Sequence, residues 1–215
     1  MASVTHSEID STENKVLILG ESNTGKTSIV LRFVNNSFSN NTKPTIGCDF
    51  LQKEMNVQGK PVRLSLWDTA GQERFRAISH CYYKMVRIIV LVFDLTNRKS
   101  FERLAFWKEE IEKFTDGQVL MLLVGNKADL IAERIVKREE AEDFVAKNGL
   151  KAYFETSAKN DSDVNVEKVF EFVGSQIGEA KANLQGMSDR DIANALRNGG
   201  ENVGNEDKES SSCAC

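Results

Sequence analysis

The 215-residue sequence predicts an α/β protein with a mostly parallel sheet and one antiparallel hairpin. Three observations support this fold class. Short apolar runs alternate with helical patterns along the chain, which is typical of parallel strands joined by right-handed crossovers. Two of the runs, Ile88 to Phe93 and Val119 to Val124, lack polar alternation, as strands buried on both faces should. A glycine-bounded loop joins the first run to the first helix. We therefore expect six strands with helices on both faces of the sheet.

The first part of the chain predicts a strand, a helix and a hairpin. Lys15 to Gly20 is apolar and too short for a helix, so we expect a buried strand. Thr27 to Asn36 carries apolar residues at helical spacing. Two alternating segments, Leu51 to Val57 and Val62 to Leu66, flank a turn at Gln58 to Pro61, which predicts an antiparallel hairpin.

The second part predicts three helices between the remaining strands. Ser100 to Phe114 presents a broad apolar face that includes Trp107, which we expect in the core. Glu139 to Asn148 ends before Gly149, a residue suited to a left-handed C-cap. Asp163 to Ala180 repeats its apolar residues at intervals of three and four.

Composition and charge exclude several classes of protein. Hydrophobic residues make up 40% and charged residues 28%, as in soluble globular domains. Lys and Arg number 28 against 32 Asp and Glu, a net charge of -4 with no basic stripe, so we expect no nucleic-acid binding. The four cysteines have neither disulfide-framework nor zinc-site spacing.

The chain divides by composition into three parts. We predict a flexible N-terminal segment at 1–12, one folded domain at 13–180, and a flexible C-terminal tail at 181–215, whose end is poor in apolar residues. No apolar run approaches the roughly 20 residues that cross a bilayer. The acidic N-terminus does not resemble a secretory signal. These features predict a protein of the cytosol or of the cytosolic face of a membrane.

Gly20 to Thr27 (GESNTGKT) matches the phosphate-binding pattern Gly-x-x-x-x-Gly-Lys-Ser/Thr. The segment lies between a predicted strand and a predicted helix, where backbone N–H groups can surround phosphates at a helix N-terminus. Lys26 supplies a positive charge for the terminal phosphates, and the Thr27 hydroxyl can bind magnesium. The pattern alone does not identify the nucleotide.

Three later motifs identify guanine as the base. Asp68 in Trp67 to Glu73 ends the hairpin's second strand, where it can hold a magnesium-bound water. Asn126 to Asp129 follows a buried strand, and the Asp129 carboxylate can accept both guanine donors, whereas adenine would leave it unpaired. Glu155 to Lys159 ends the last strand. All four motifs follow strand carboxyl ends, where open α/β sheets bind ligands.

With these motifs the sequence resembles the Ras-like small GTPases, and among them the Rab proteins, over about residues 13–180. The more specific Rab-like features are Ile46 to Phe50, Leu66 to Phe75, Tyr82-Tyr83, Phe93 to Thr96, and the ending Cys213-Ala214-Cys215. The resemblance implies the small-GTPase (P-loop NTPase) fold. It also implies a GTP/GDP switch that recruits effectors in vesicular membrane traffic and hydrolyses GTP slowly without an activating protein.

The resemblance also implies a set of site residues. Gln72 orients the attacking water and Lys26 assists catalysis. Magnesium is bound by Thr27, Thr45 and Asp68. The nucleotide is bound by Ser22, Asn23, Thr24, Gly25, Lys26, Thr27, Ser28, Phe38, Thr45, Gly71, Asn126, Lys127, Asp129, Ser157, Ala158 and Lys159.

The implied partners are a guanine-nucleotide exchange factor, a GTPase-activating protein, a GDP-dissociation inhibitor, a Rab escort protein and effectors, all acting on a monomer. Cys213 and Cys215 do not fit the four-residue prenylation box, because Ser212 stands fourth from the end. They resemble the doubly geranylgeranylated Rab ending. The implied location is the cytoplasmic face of an intracellular membrane, in exchange with the cytosol.

Two alternatives stay open at this point. Asn23 stands where many relatives carry Gly or Ser, which favours a slowly hydrolysing or non-hydrolysing scaffold of the same fold, although Asn tolerates left-handed backbone. A nucleotide kinase or ATPase shares the phosphate loop, but it is opposed by Asn126 to Asp129 and by the lack of an arginine-rich lid. The Lys84 to Val86 segment also departs from the Rab pattern, and we expect partner choice to differ accordingly.

Overall fold

A computed structural model describes the following parts of the chain: residues 14–41, 43–71, 83, 86–115, 119–160 and 165–186. The chain divides into a compact unit, Met1–Gln176, and a second unit, Ile177–Cys215, in which the end of the last helix is described. The predicted segment 1–12 and the tail beyond residue 186 lie outside the described residues. The three-part division of the chain therefore stays a prediction.

Six strands form one sheet within the described residues. They are β1 Lys15–Leu19, β2 Cys48–Val57, β3 Lys60–Thr69, β4 Ile88–Asp94, β5 Leu120–Asn126 and β6 Ala152–Thr156. Their order in the sheet is β2-β3-β1-β4-β5-β6. β2 is antiparallel to β3, and every other neighbouring pair is parallel. The predicted mostly parallel six-stranded sheet with one antiparallel hairpin is confirmed.

The hairpin turn is shorter than the predicted Gln58 to Pro61. Gln58 and Gly59 have φ angles of 52° and 81°, the positive values that two-residue hairpin turns require at both positions. β3 therefore begins at Lys60, and Pro61 pairs with Asn56 inside the ladder. A proline has no backbone N–H to donate within a sheet. Pro61 lies near the start of β3, where β3 pairs with β2 alone, because β1 joins its other side only from Ser65 onward.

The described helices are α1 Lys26–Asn35, α2 Arg98–Glu102, α3 Leu104–Phe114, α4 Arg138–Asn148 and α5 Asn165–Gly186, with a 3₁₀ turn at Ile131–Glu133. None of them is long and apolar enough to span a bilayer. α4 ends at Gly149 with φ 67°, which confirms the predicted C-cap. α5 continues past the predicted Ala180 to Gly186, and its predicted start at Asp163 lies outside the described residues.

The single helix predicted at Ser100 to Phe114 is wrong, because the structure has two helical segments. The Asn97 side chain accepts hydrogen bonds from the backbone N–H groups of Lys99 and Ser100, so helical structure begins at Arg98. The two segments meet at Arg103, which adopts φ -73° and ψ -9°.

Side chains from alternate positions of the strands fill the two faces of the sheet. One face packs against α3 and α4 through a cluster that includes Leu17, Leu19, Phe93, Trp107 and Ala141. Trp107 is only 3% exposed, so its predicted place in the core is confirmed. Val16 and Ile18 alternate with that cluster and point to the opposite face. Helices α1 and α5 pack together through Phe33 and Phe170, whose stacked rings have centroids 4.0 Å apart.

Candidate functional site

The phosphate-binding loop leaves β1 at Gly20 and enters α1 at Lys26. A Cβ atom at Gly20 would lie 2.0 Å from the Val92 carbonyl oxygen, so only glycine fits beside β4. Asn23 and Gly25 take left-handed conformations, with φ angles of 62° and 88°. Asparagine adopts this region more readily than most residues, so Asn23 lets the loop close.

Hydrogen bonds connect this loop to the two motifs at the ends of β5 and β6. Thr24 is buried, and its hydroxyl donates to the Glu21 carbonyl at 2.9 Å. The Asn126 amide donates to the Thr24 carbonyl at 2.9 Å and accepts from the Thr156 hydroxyl at 3.2 Å. The first, third and fourth sequence motifs therefore form one bonded unit.

Lys26 lies inside the loop and is almost completely buried. Its Nζ donates to the carbonyls of Gly20 and Glu21 at 2.9 and 2.8 Å. Burial lowers the Lys26 pKa to about 8, against the opposing effects of Asp68 and Glu21, so the amine stays protonated at neutral pH. Gly71 lies against the same loop, because a Cβ there would be 2.6 Å from Lys26 Nζ.

Thr27, Thr45 and Asp68 converge from three different segments. The Thr27 hydroxyl donates to Asp68 Oδ2 at 2.5 Å and lies 2.9 Å from the Thr45 hydroxyl. Thr45 Oγ1 is 3.5 Å from the same carboxylate oxygen. Burial raises the pKa of Asp68 to about 6, although the Thr27 hydrogen bond and the Lys26 charge oppose the shift.

This oxygen cluster fits a magnesium ion. Hydroxyl and carboxylate oxygens are the ligands that Mg²⁺ takes, directly or through bound waters. Asp68 is 1% exposed, and its Oδ1 has no hydrogen-bond partner among the described residues. A buried carboxylate oxygen without a partner is costly, and a cation or its bound water would satisfy it.

The base-recognition residues gather beside the loop. The Ser157 hydroxyl donates to Asp129 Oδ1 at 2.7 Å, and the Ala128 N–H donates to the Thr156 carbonyl at 3.0 Å. Lys127 takes a left-handed conformation with φ 66°. The strand ends β5 and β6 thus hold the predicted guanine residues in one place.

The predicted residues of the phosphate loop and the switches, together with Phe38, Lys159 and the two terminal cysteines, fall into three groups. Ser22, Asn23, Gly25, Lys26, Thr27, Ser28, Thr45 and Gly71 line one cleft together with Lys43, Pro44 and Thr69. Phe38 is half-buried in the connection from α1 to β2, and Lys159 is exposed. Gln72, Cys213 and Cys215 lie outside the described residues. The roles of all the predicted site residues stay predictions.

Sequence reasoning missed two residues that hold the base-recognition loops. Asp94 ends β4, and its Oδ2 lies 2.6 Å from Lys127 Nζ. Its position at the same sheet edge as the other motifs was an available signal. Arg32 donates from Nε to the Ala158 carbonyl at 2.8 Å. A helical arginine with no motif around it gives no such signal.

Comparison with known proteins agrees with this geometry. The family model described as "Ras family" matches residues 15–179. GTP-binding protein YPTM1 from Zea mays is 38% identical, over 93% of this chain and 94% of that protein. Rab-2B from Dictyostelium discoideum is 43% identical over 76% of this chain and 79% of its own length. Rab-13 from Mesocricetus auratus is 39% identical over 92% of this chain and 87% of its own length.

Proposed function

Because the chain belongs to the Ras family and is a Rab-like GTPase of vesicular membrane traffic, we propose that it is a magnesium-dependent switch. Family membership supports guanine-nucleotide binding, GTP hydrolysis and the predicted Rab resemblance. It does not support the alternative of a nucleotide kinase or ATPase. The observation that carries the proposal is the convergence of Thr27, Thr45 and Asp68 on one point.

Thr45 makes this cluster a switch rather than a fixed metal site. Thr27 belongs to α1 and Asp68 to β3, whereas Thr45 belongs to the connection between α1 and β2, whose neighbouring Lys43, Pro44 and Ile46 are exposed. With the γ-phosphate present, Thr45 contacts the ligand cluster and orders the first switch, at about 38–47. Loss of that phosphate releases it.

Gly71 connects the second switch, at about 69–80, to the same event. It packs closely against the phosphate loop, which supports a hydrogen bond from its N–H to a γ-phosphate, and Gln72, which follows, would orient the attacking water. Lys26 stabilises charge on the phosphates. Magnesium, when bound, neutralises charge on the β- and γ-phosphate oxygens. Hydrolysis would be slow until an activating protein supplies an arginine.

Replacing the Thr27 hydroxyl tests the magnesium assignment. We expect Thr27→Ala to reduce the magnesium-dependent gain in affinity for a non-hydrolysable GTP analogue by at least about tenfold, because a ligand is lost. Thr27→Ser should keep most of that gain. Nucleotide titrations with magnesium and with a chelator measure it. An equal gain in Thr27→Ala and the parent protein would remove Thr27 from the metal site.

The proposal extends to partners and membranes. Rab relatives imply regulators and effectors in general, and we assign to this chain an exchange factor, a GTPase-activating protein, a GDP-dissociation inhibitor and an escort protein. The protein would be a monomer on the cytoplasmic face of an intracellular membrane, in exchange with the cytosol. Cys213 and Cys215 would each carry a geranylgeranyl group, since one lipid chain anchors only marginally.

Removal of these cysteines tests the anchor. The stretch 181–212 contains six acids and four bases, so it does not assist approach to an anionic leaflet. Attachment must come from lipid burial, at about 0.8 kcal/mol per methylene. We expect Cys213→Ser or Cys215→Ser to move much of the protein to the cytosol, and the double variant to be fully soluble with GDP binding intact. Cell fractionation with mass spectrometry of the C-terminal peptide measures both. A membrane-bound double variant would place the anchor elsewhere.

A further inference from the structure

The phosphate loop contains an acid, Glu21, at the site where an anionic ligand binds. Its carboxylate Oε1 accepts a hydrogen bond from Arg103 Nε at 3.2 Å and another from Trp107 Nε1 at 3.2 Å. Both donors come from one helical region, Arg103 at the junction of α2 and α3 and Trp107 within α3. The phosphate-binding pattern itself does not require an acid at position 21.

A negative charge in this loop opposes its function. A carboxylate near phosphate groups repels them, and the repulsion grows where water is partly excluded. The Glu21 side chain is 23% exposed, and its charge is close enough to act on Lys26. Without partners of its own, the carboxylate would compete with the nucleotide for that amine.

The backbone and the side chain of Glu21 have separate partners. The Glu21 carbonyl accepts a hydrogen bond from Lys26 Nζ at 2.8 Å. The carboxylate meets Arg103 and Trp107 instead. The Glu21 carbonyl therefore stays bonded to Lys26 while the Arg103 guanidinium neutralises the Glu21 carboxylate.

The two donors are held in place by their own packing. Trp107 is 3% exposed in the core, and a buried indole N–H needs an acceptor. The Arg103 guanidinium lies 4.3 Å from the centre of the Phe106 ring, a contact that limits its freedom. The break between α2 and α3 occurs at Arg103, the residue that reaches the loop.

We propose that Arg103 and Trp107 are positioning residues: Arg103 neutralises Glu21, Trp107 holds the same carboxylate as a second hydrogen-bond donor, and together they keep the phosphate loop attractive to nucleotide phosphates. The inference rests on the proposed assignment of this loop as the phosphate site. Charge neutralisation predicts a result that differs from that of a purely mechanical contact between Arg103 and the loop. Removing the Arg103 charge should weaken nucleotide binding, and removing the Glu21 charge as well should restore it.

The experiment measures dissociation of a fluorescent GDP from the full-length protein. The fluorescent GDP should dissociate roughly fivefold faster from Arg103→Ala than from the parent protein, in line with the loss of a partly exposed ion pair. In the double variant Arg103→Ala with Glu21→Gln, the GDP dissociation rate should return to within about twofold of the parent rate, because the repelling charge is gone. Lys108→Ala removes an equal charge from α3, where Lys108 pairs with Glu112 at 2.5 Å, and should have no effect. Thermal unfolding of each variant checks folding.

The outcomes separate the alternatives. If Arg103 only tethers the loop, Glu21→Gln cannot rescue, because the donor is still missing, and that result overturns the inference. GDP dissociation from Arg103→Ala at the parent rate also overturns the inference. Lys26→Ala in the same assay tests the underlying site: unchanged GDP binding there would reject the phosphate-loop assignment itself, whereas lost binding with an inert Arg103→Ala would reject only the role of Arg103.

Discussion

Asp129→Asn should lower the affinity for GDP and GTP on the order of 10⁴-fold and transfer the preference to xanthosine nucleotides. The carboxylate can accept from both guanine donors, the ring N1–H and the exocyclic amine. An asparagine amide instead presents an N–H toward that amine, and xanthine has a carbonyl there that accepts it. The expected change is large because a site built to bond specific polar groups leaves them unpaired with the wrong base.

The structure explains why a single side chain should have this effect. Asp129 Oδ1 already accepts the Ser157 hydroxyl at 2.7 Å, so the carboxylate is fixed in one orientation. Competition of GDP, XDP and ADP against a fluorescent GDP measures the preference. Asp143→Asn on α4 is a matched control, because Asp143 is exposed and pairs only loosely with Lys147, at 3.7 Å. Unchanged guanine preference in Asp129→Asn, or equal ATP and GTP binding by the parent, would reject the assignment.

The sequence predicted the parts of the site that follow strand ends. Parallel strands present their carboxyl ends at one sheet edge, so the order of motifs along the chain was enough to predict that Asp68 and Asn126 would both lie beside the phosphate loop, where they contact Thr27 and Thr24. The left-handed backbone of Asn23 was also predictable, since few other residues tolerate it. Local rules of this kind depend only on residue type and on position relative to a strand.

What could not be predicted depends on contacts between distant residues. The hydrogen bond between Glu21 and Trp107 joins positions 86 residues apart. The apolar helix face had already assigned Trp107 to the core, so nothing in the sequence indicated a polar contact for it. The two-part helix was missed for a different reason. Asn97 is a strong N-cap, but the apolar periodicity begins later, so the helix start was assigned from the wrong signal.

Gly71→Ala should slow GTP hydrolysis by about 10²- to 10³-fold, the effect of losing one backbone donor to a developing charge. A Cβ at this position would lie 2.5 Å from the Ser22 nitrogen and 2.6 Å from both the Glu21 carbonyl carbon and Lys26 Nζ. Two of these three atoms are backbone atoms of the phosphate loop and cannot rotate away. The alanine must therefore move off the loop and take its N–H with it.

The effect should be specific to the GTP state. GDP lacks the phosphate that the Gly71 N–H is proposed to meet, so we expect GDP affinity to change by less than about tenfold while single-turnover hydrolysis falls. Gly178→Ala is the matched control, because a Cβ there would have no heavy atom of the described residues within 4 Å beyond its own helical turn, and its hydrolysis rate should equal that of the parent. If Gly71→Ala hydrolyses GTP at the parent rate, the contact between Gly71 and the phosphate loop has no part in catalysis, and the second switch must sense the γ-phosphate through another residue.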